Sequence, residues 1–207
     1  MNLAYFLYED LKERIWNSDF NKTNYEVSLD FTYLKEDLIR WSLSTNDKAS
    51  NLAKKLSLEL SFKEALERIV PEFQRDNNKW SKEMQIKFVE NIILGVNTTI
   101  ILGTLSNEKS ECVLIDGLQR VSAIFSFMNK EFKVFEGFEY NEDFENKIST
   151  FIHNLKLKIF NFKNEKEMVN FYINMNENIT HSKEDIEKAK NYLNKLDNVV
   201  EYNIRGL

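Results

Sequence analysis

The segment that most limits what this chain can fold into is Cys112 to Asn129, CVLIDGLQRVSAIFSFMN. The apolar run Cys112 to Ile115 is what a buried strand requires, with no polar residue to face water. It passes directly into Asp116-Gly117, a pair that turns the backbone, and then into Val121, Ile124, Phe125 and Met128 at helical spacing. Buried strand, tight turn and apolar helix in that order require a domain that mixes helix with sheet.

The flanking sequence extends this alternation with short elements. Thr99 to Leu105 reads as a strand joined to the next by the polar turn Ser106 to Ser110. Ser81 is a strong N-cap for a helix whose buried face is Met84, Phe88, Val89, Ile92 and Ile93, closed by Gly95. Ser61 with Glu64 forms a capping box opening a helix from Phe62 to Arg68, and Pro71 stops it. Just before it, LSLEL (Leu56 to Leu60) has the alternation of a strand. Downstream come a strand near Phe132 to Phe135, an acidic aromatic stretch to Phe144, a strand from Leu155 to Phe162, and two helices. The last of these opens at Ser182 with Asp185 as a second capping box.

Residues 1 to 57 read as a mainly helical amino-terminal extension. Leu3, Phe6, Leu7, Leu11 and Ile15 mark a helix over Met1 to Trp16, and Tyr33, Leu34, Leu38 and Trp41 mark another over Thr32 to Trp41. Between them Tyr25 to Phe31 alternates as a short strand; Ser44 to Asp47 is a loop before a helical stretch ending near Leu56. No repeat or low-complexity linker interrupts the rest. The expected organisation is an α/β (α+β) domain over 58 to 207 behind this extension.

Composition then removes function classes. A single cysteine and two histidines can build neither a disulfide framework, nor a Cys/His zinc cage, nor an autonomous HNH nuclease. No apolar run reaches the roughly 18 residues a bilayer span needs, and MNLAYFLYEDLKER lacks the basic start of a signal peptide, so a reducing cytoplasm is the expected compartment and no membrane partner is expected. Lys and Arg number 28 against 33 Asp and Glu, without a basic block anywhere. Free-standing DNA binders usually carry a basic surplus, so any phosphate chemistry here depends on a few placed cations.

Those cations sit in an unexpected pattern. With so few Gln and Arg in the chain, chance predicts no Gln-Arg dipeptide, yet two occur, Gln74-Arg75 and Gln119-Arg120. The first lies in a polar loop before a helix; the second follows the buried strand and the Asp-Gly turn. The first turn of a helix offers unpaired N–H groups and a partial positive charge, and an arginine there completes a phosphate site. Gly117 lets the backbone approach a ligand closely. Asp116 cannot favour a bare phosphate, so it either holds a divalent ion or orients a water, or else caps the helix.

These segments carry a resemblance. VPEFQRDNNKW, the helix through NIILG, the strand pair, LIDGLQRVSAIFSFMN and YINMNENITHSKEDIEKAK resemble, in order and spacing, the amino-terminal domain of the GmrSD-type restriction endonucleases. That family's signatures are proline, Gln-Arg and Trp, then Asp-Gly-Gln-Gln-Arg, then an Asn segment. The resemblance implies a ParB/sulfiredoxin-like fold and a nucleoside triphosphate as ligand or substrate. It further implies Mg²⁺, with Asp116 as its ligand, and a role in DNA restriction or phage defence.

Residue by residue, Asp116, Gly117, Gln119 and Arg120 match the second motif, while Leu118 replaces its first Gln. Gln74 and Arg75 match the first motif as an opposing phosphate clamp, with Trp80 as a packing residue on the next helix. Asn176 matches the third, and Asn174 is a competing alignment. Asp116, Gln119 and Arg120 are the expected catalytic set of an NTPase, and Leu118 is a departure that threatens turnover more than binding. With two histidines, no HNH nuclease site is expected here, and cleavage of DNA is expected to need a partner protein. Two rival readings remain: an interaction module, phage-encoded and without catalysis, and a ParB-like DNA-binding adaptor.

For the other reactive residue types the structural role outweighs the chemical one. His153 and His181 lack companions at ligand spacing and read as surface or capping residues. Cys112 in its apolar strand reads as an inert hydrophobe. Phe135, Phe138, Tyr140 and Phe144 could stack bases but read as core or partner surface, and Lys79, Lys82 and Lys87 could meet a DNA backbone but read as a solvated helix face.

Overall fold

The computed structural model of the chain describes residues 23–29, 33–43, 48–74, 76, 79–105, 111–141, 143–144, 155–177 and 181–205. The expected helix over Met1 to Trp16, the loop Ser44 to Asp47, the turn Ser106 to Ser110, Arg75 and His153 lie outside the described residues. The elements run β1 (Thr23–Leu29), α1 (Leu34–Leu43), α2 (Lys48–Glu59), α3 (Phe62–Ile69), α4 (Lys82–Ile93), β2 (Thr98–Leu105), β3 (Val113–Asp116), α5 (Leu118–Met128), β4 (Leu155–Phe162), α6 (Glu165–Asn176) and α7 (Lys183–Arg205). The fold is mixed α+β.

The strands form one mixed sheet in the order β1-β4-β2-β3. The central pair β2 and β4 is parallel, with Thr98 opposite Leu155 through to Leu105 opposite Phe162. β1 and β3 flank them antiparallel. Alternation along the strands divides the core in two. Leu29, Ile100, Leu102, Leu114, Leu155, Leu157 and Ile159 pack with α1, α3, α4 and α5 into a large aliphatic core. Ile101, Ile115, Phe160 and Phe162 pack with Phe73, α6 and the first part of α7 into a smaller aromatic one. Gly103 is small because side chains of this smaller core close on it: an added Cβ would lie 3.0 Å from both Ile115 and Phe162.

The extension is built into this frame. β1 is an edge strand paired with β4, and Leu34, Leu38 and Ile39 of α1 are fully buried in the aliphatic core. Glu26 forms ion pairs with Lys156 at 3.0 Å and Lys158 at 3.3 Å on the outer face, a charged edge of the kind that discourages strand addition. Among the described residues, extension and domain share one sheet and one core.

Several helix starts follow the sequence closely. Ser61 and Glu64 make the reciprocal capping box, Ser81 accepts from Met84 N, and Ser182 and Asp185 bond each other's backbone N–H. Two expected strands are absent. LSLEL continues α2, because Ala53 and Leu56 pack inward at helical spacing while Leu58 stands 83% exposed. Near Phe132 to Phe135 the chain makes a tight turn, with Phe135 and Glu136 at positive φ and a bridge between Val134 and Phe138. Tyr140 and Phe144 pack against Phe127, which makes the acidic aromatic stretch chiefly core. No helix among the described residues is long and apolar enough to cross a membrane.

Candidate functional site

The start of α5 is shaped by Gly117. Its φ is 109°, a left-handed backbone that L side chains rarely adopt, and a Cβ added there would meet the Ile100 backbone at 3.4 Å. Gly117 is the N-cap and supplies no side-chain cap, so the first-turn N–H groups of α5 are left to whatever occupies the space before them. Asp116, one residue earlier, ends β3 and is not the cap. Its carboxylate instead pairs with Arg120 one helical turn on, at 3.0 Å. The Arg120 guanidinium also donates to the Thr99 carbonyl, which aims it across the end of the sheet.

The space before this helix is a cavity of about 530 Å³, lined by Lys79, Trp80, Asp116, Gly117, Leu118, Gln119, Arg120, Met175, Asn176 and His181. Its size lies in the ordinary range for small-molecule and cofactor sites. Three stretches far apart in sequence converge there: the loop before α4, the β3–α5 junction, and the end of α6 with the approach to α7. A broader depression of about 650 Å³ along α7 is lined mainly by charged side chains of that helix, and none of the expected site residues lies in it.

The two glutamines of the Gln-Arg pairs are placed differently: Gln119 lines the cavity and Gln74 does not. Gln119 is 4% exposed; its Oε1 accepts from Trp80 N at 3.1 Å and its Nε2 donates to Asp76 O at 3.4 Å, so it ties the loop before α4 to α5. Gln74 is 2% exposed and lies off the cavity, its Nε2 donating to the carbonyls of Leu114 and Ile115. Lys188 of α7 donates to Gln74 O at 2.6 Å and pairs with Asp76. Asn176 lines the cavity and donates from Nδ2 to Tyr172 O, whereas Asn174 is exposed. Leu118 is 3% exposed and belongs to the aliphatic core even as it lines the cavity.

Three cavity residues escaped the sequence reading. Lys79 pairs with Asp185 at 3.0 Å instead of lying on a solvated helix face. Met175 and His181 approach from the far side, where His181 stacks edge-on against Tyr172. Nothing in local spacing signals them, because their partners come from other elements. Trp80 packs edge-on against Phe88 as expected of a packing residue, but from the loop before Ser81.

The chain matches, over residues 55–205, the family described as GmrSD restriction endonuclease, N-terminal domain. It belongs to that family. No similar curated protein and no similar solved structure was found. The match to the GmrSD N-terminal domain takes in every residue that lines the cavity and leaves β1 and α1 outside it.

Among the described residues the cavity brings together the Arg120 guanidinium, the Lys79 ammonium and one carboxylate, Asp116. No group of three or more His, Cys, Asp or Glu among the described residues could hold a resident metal ion. Asp116 is the cavity carboxylate that could hold Mg²⁺, an ion usually held by one or two carboxylates together with phosphate oxygens and water. Cys112 plays no part: it is 1% exposed in the core, and burial pushes its thiol up to about 12 despite the bond with Thr104.

Proposed function

We propose that this chain binds a nucleoside triphosphate in the cavity before α5, as part of a restriction or anti-phage system, and that its fold is ParB/sulfiredoxin-like. The observation that carries the reading is the α5 start itself. A helix of 11 residues opens on a left-handed glycine with no side-chain cap, and Arg120 stands one turn above Asp116 over the same space. Helix N-termini of this form offer N–H groups and a partial positive charge to phosphates.

In this reading the α5 N–H groups and Arg120 take the phosphates, Asn176 orients the ligand from the far wall, and Gln119 holds the loop before α4 in register. Arg75 would add a clamp from the first motif, with Gln74 as the residue that anchors its loop on β3. Asp116 would hold Mg²⁺, which when bound neutralises charge on phosphate oxygens. Arg120 would leave its pairing with Asp116 and stabilise charge developing on the transferred phosphoryl group. Leu118 offers neither donor nor acceptor at the cavity wall, which favours firm binding with slow hydrolysis.

Titration calorimetry of the full chain with ATP, GTP, CTP and UTP, each with Mg²⁺, tests this, followed by phosphate-release measurement on any nucleotide that binds. At least one is expected to bind. Absence of binding by all four would remove the assignment.

A further inference from the structure

Lys79 lies on the cavity wall outside both Gln-Arg pairs. Its ammonium is 3.0 Å from Asp185 Oδ1 at the start of α7; the lysine side chain is 38% exposed and that of Asp185 only 9%. The acid is the fixed partner. Asp185 accepts from Ser182 N and donates its own N–H to Ser182 Oγ, both at 3.3 Å, so it cannot follow the lysine away. Burial pushes its carboxyl up, but the bonds from Lys79 and Ser182 outweigh this and hold it below its ordinary value.

Among the described residues, Arg120 and Lys79 line the cavity and each is matched to an acid, Arg120 to Asp116 and Lys79 to Asp185. A polyphosphate entering such a balanced site gains most from whichever cation can be drawn away at least cost. Arg120 is held a second time by the Thr99 carbonyl. Lys79 has a long flexible stem, and the loop that carries it stays fixed by other contacts: Trp80 N and Asp76 O to Gln119, and Asp76 to Lys188. Its head can change partner while its backbone stays in place.

We infer that Lys79 is a further phosphate-binding residue of this site, held by Asp185 when the cavity is empty and transferred to the ligand's phosphates on binding. The inference rests on the nucleotide reading above. One consequence is a coupling: occupancy is felt at the first turn of α7, where Asp185 loses its cation, while Lys188 keeps the helix attached to the loop.

The test is a double-mutant cycle on the full chain. The probes are inorganic tripolyphosphate and the four NTPs with Mg²⁺, and binding is read by calorimetry after circular dichroism has verified folding. Lys79→Ala should weaken binding of tripolyphosphate and of any bound NTP about tenfold, the usual worth of a charge-assisted contact. Asp185→Asn keeps an oxygen for Ser182 N but removes the competing charge, so it should tighten binding severalfold in the Lys79 background and by clearly less in the Lys79→Ala background, where only charge repulsion is relieved. If Arg120→Ala weakens binding while Lys79→Ala does not, Lys79 is outside the site and this inference alone falls. If Asp185→Asn weakens binding equally in both backgrounds, the ion pair only builds the α7 cap and the inference is likewise overturned. Absence of binding by the unaltered chain would instead remove the nucleotide reading, and this inference with it.

Discussion

The helix that follows the loop of Lys79 and Trp80 and the helix that opens at the cavity begin in opposite ways. α4 starts from Ser81, extended at φ −65° and ψ 165°, whose hydroxyl accepts from Met84 N and so satisfies one of the helix's open donors. α5 starts from Gly117, at φ 109°, with no side chain to do the same. Ser61 and Asn164 cap α3 and α6 in the manner of Ser81. A helix that closes its own N-terminus is contributing to stability. One that leaves it open beside an arginine and a cavity has its donors available to a ligand, and the difference lies in one residue type.

The sharpest way to break this contrast is to give α5 the α4 start. Gly117→Ser supplies a capping residue but demands a left-handed backbone from an L side chain, with its Cβ against Ile100. Chemical denaturation should show a loss of about 1–3 kcal/mol, and NTP binding should disappear because the α5 N–H groups are no longer presented. A stable protein with unchanged affinity would show that the glycine is incidental.

Arg120→Ala comes next. It removes a contact to the phosphates and leaves Asp116 unpaired, so affinity for a bound NTP should fall at least tenfold, by about 1.5–3 kcal/mol. Stability should fall by no more than about 1 kcal/mol, the worth of a partly exposed ion pair. Loss of affinity together with the fold would make Arg120 a structural brace instead.

Leu118→Gln tests the departure inside the second motif. Leu118 is buried in the aliphatic core, so a glutamine brings an amide into it and should cost about 1–3 kcal/mol of stability. If part of that amide reaches the cavity, phosphate release per bound nucleotide should rise. A stability loss with no gain in turnover would show that the residue belongs to the core alone.

What the sequence revealed, and what it hid, follows the same division between local and distant causes. Capping boxes at Ser61 and Ser182, the cap at Ser81 and the left-handed Gly95 are made within a few residues and were legible. So was the strand–turn–helix unit around Asp116-Gly117. The LSLEL segment misleads because its alternation of leucines also fits the end of a helix in which Leu58 simply faces water. The two Gln-Arg pairs share one dipeptide, yet Gln74 bonds β3 carbonyls and Gln119 holds the α4 loop, which no local pattern distinguishes. Lys79 and His181 were invisible as cavity residues because their partners, Asp185 and Tyr172, come from other parts of the fold.

The smallest effect is also the most discriminating control. Ser81→Ala removes the cap of α4 and should cost about 1 kcal/mol, because the Met84 N–H loses its acceptor while the helix keeps its buried face on Val89 and Ile92. If the contrast between the two helix starts is right, that loss is purely one of stability. Ser81 is exposed and does not line the cavity, and the loop before it is held from the α5 side by Gln119. NTP affinity measured by calorimetry should therefore equal that of the unaltered chain. A saturating nucleotide should raise the unfolding free energy of both proteins by the same amount, since that increment depends only on ligand concentration and affinity. A weakened affinity in Ser81→Ala would mean that the α4 start also positions Lys79 and Trp80 for the ligand, so that the two helix starts act as one unit.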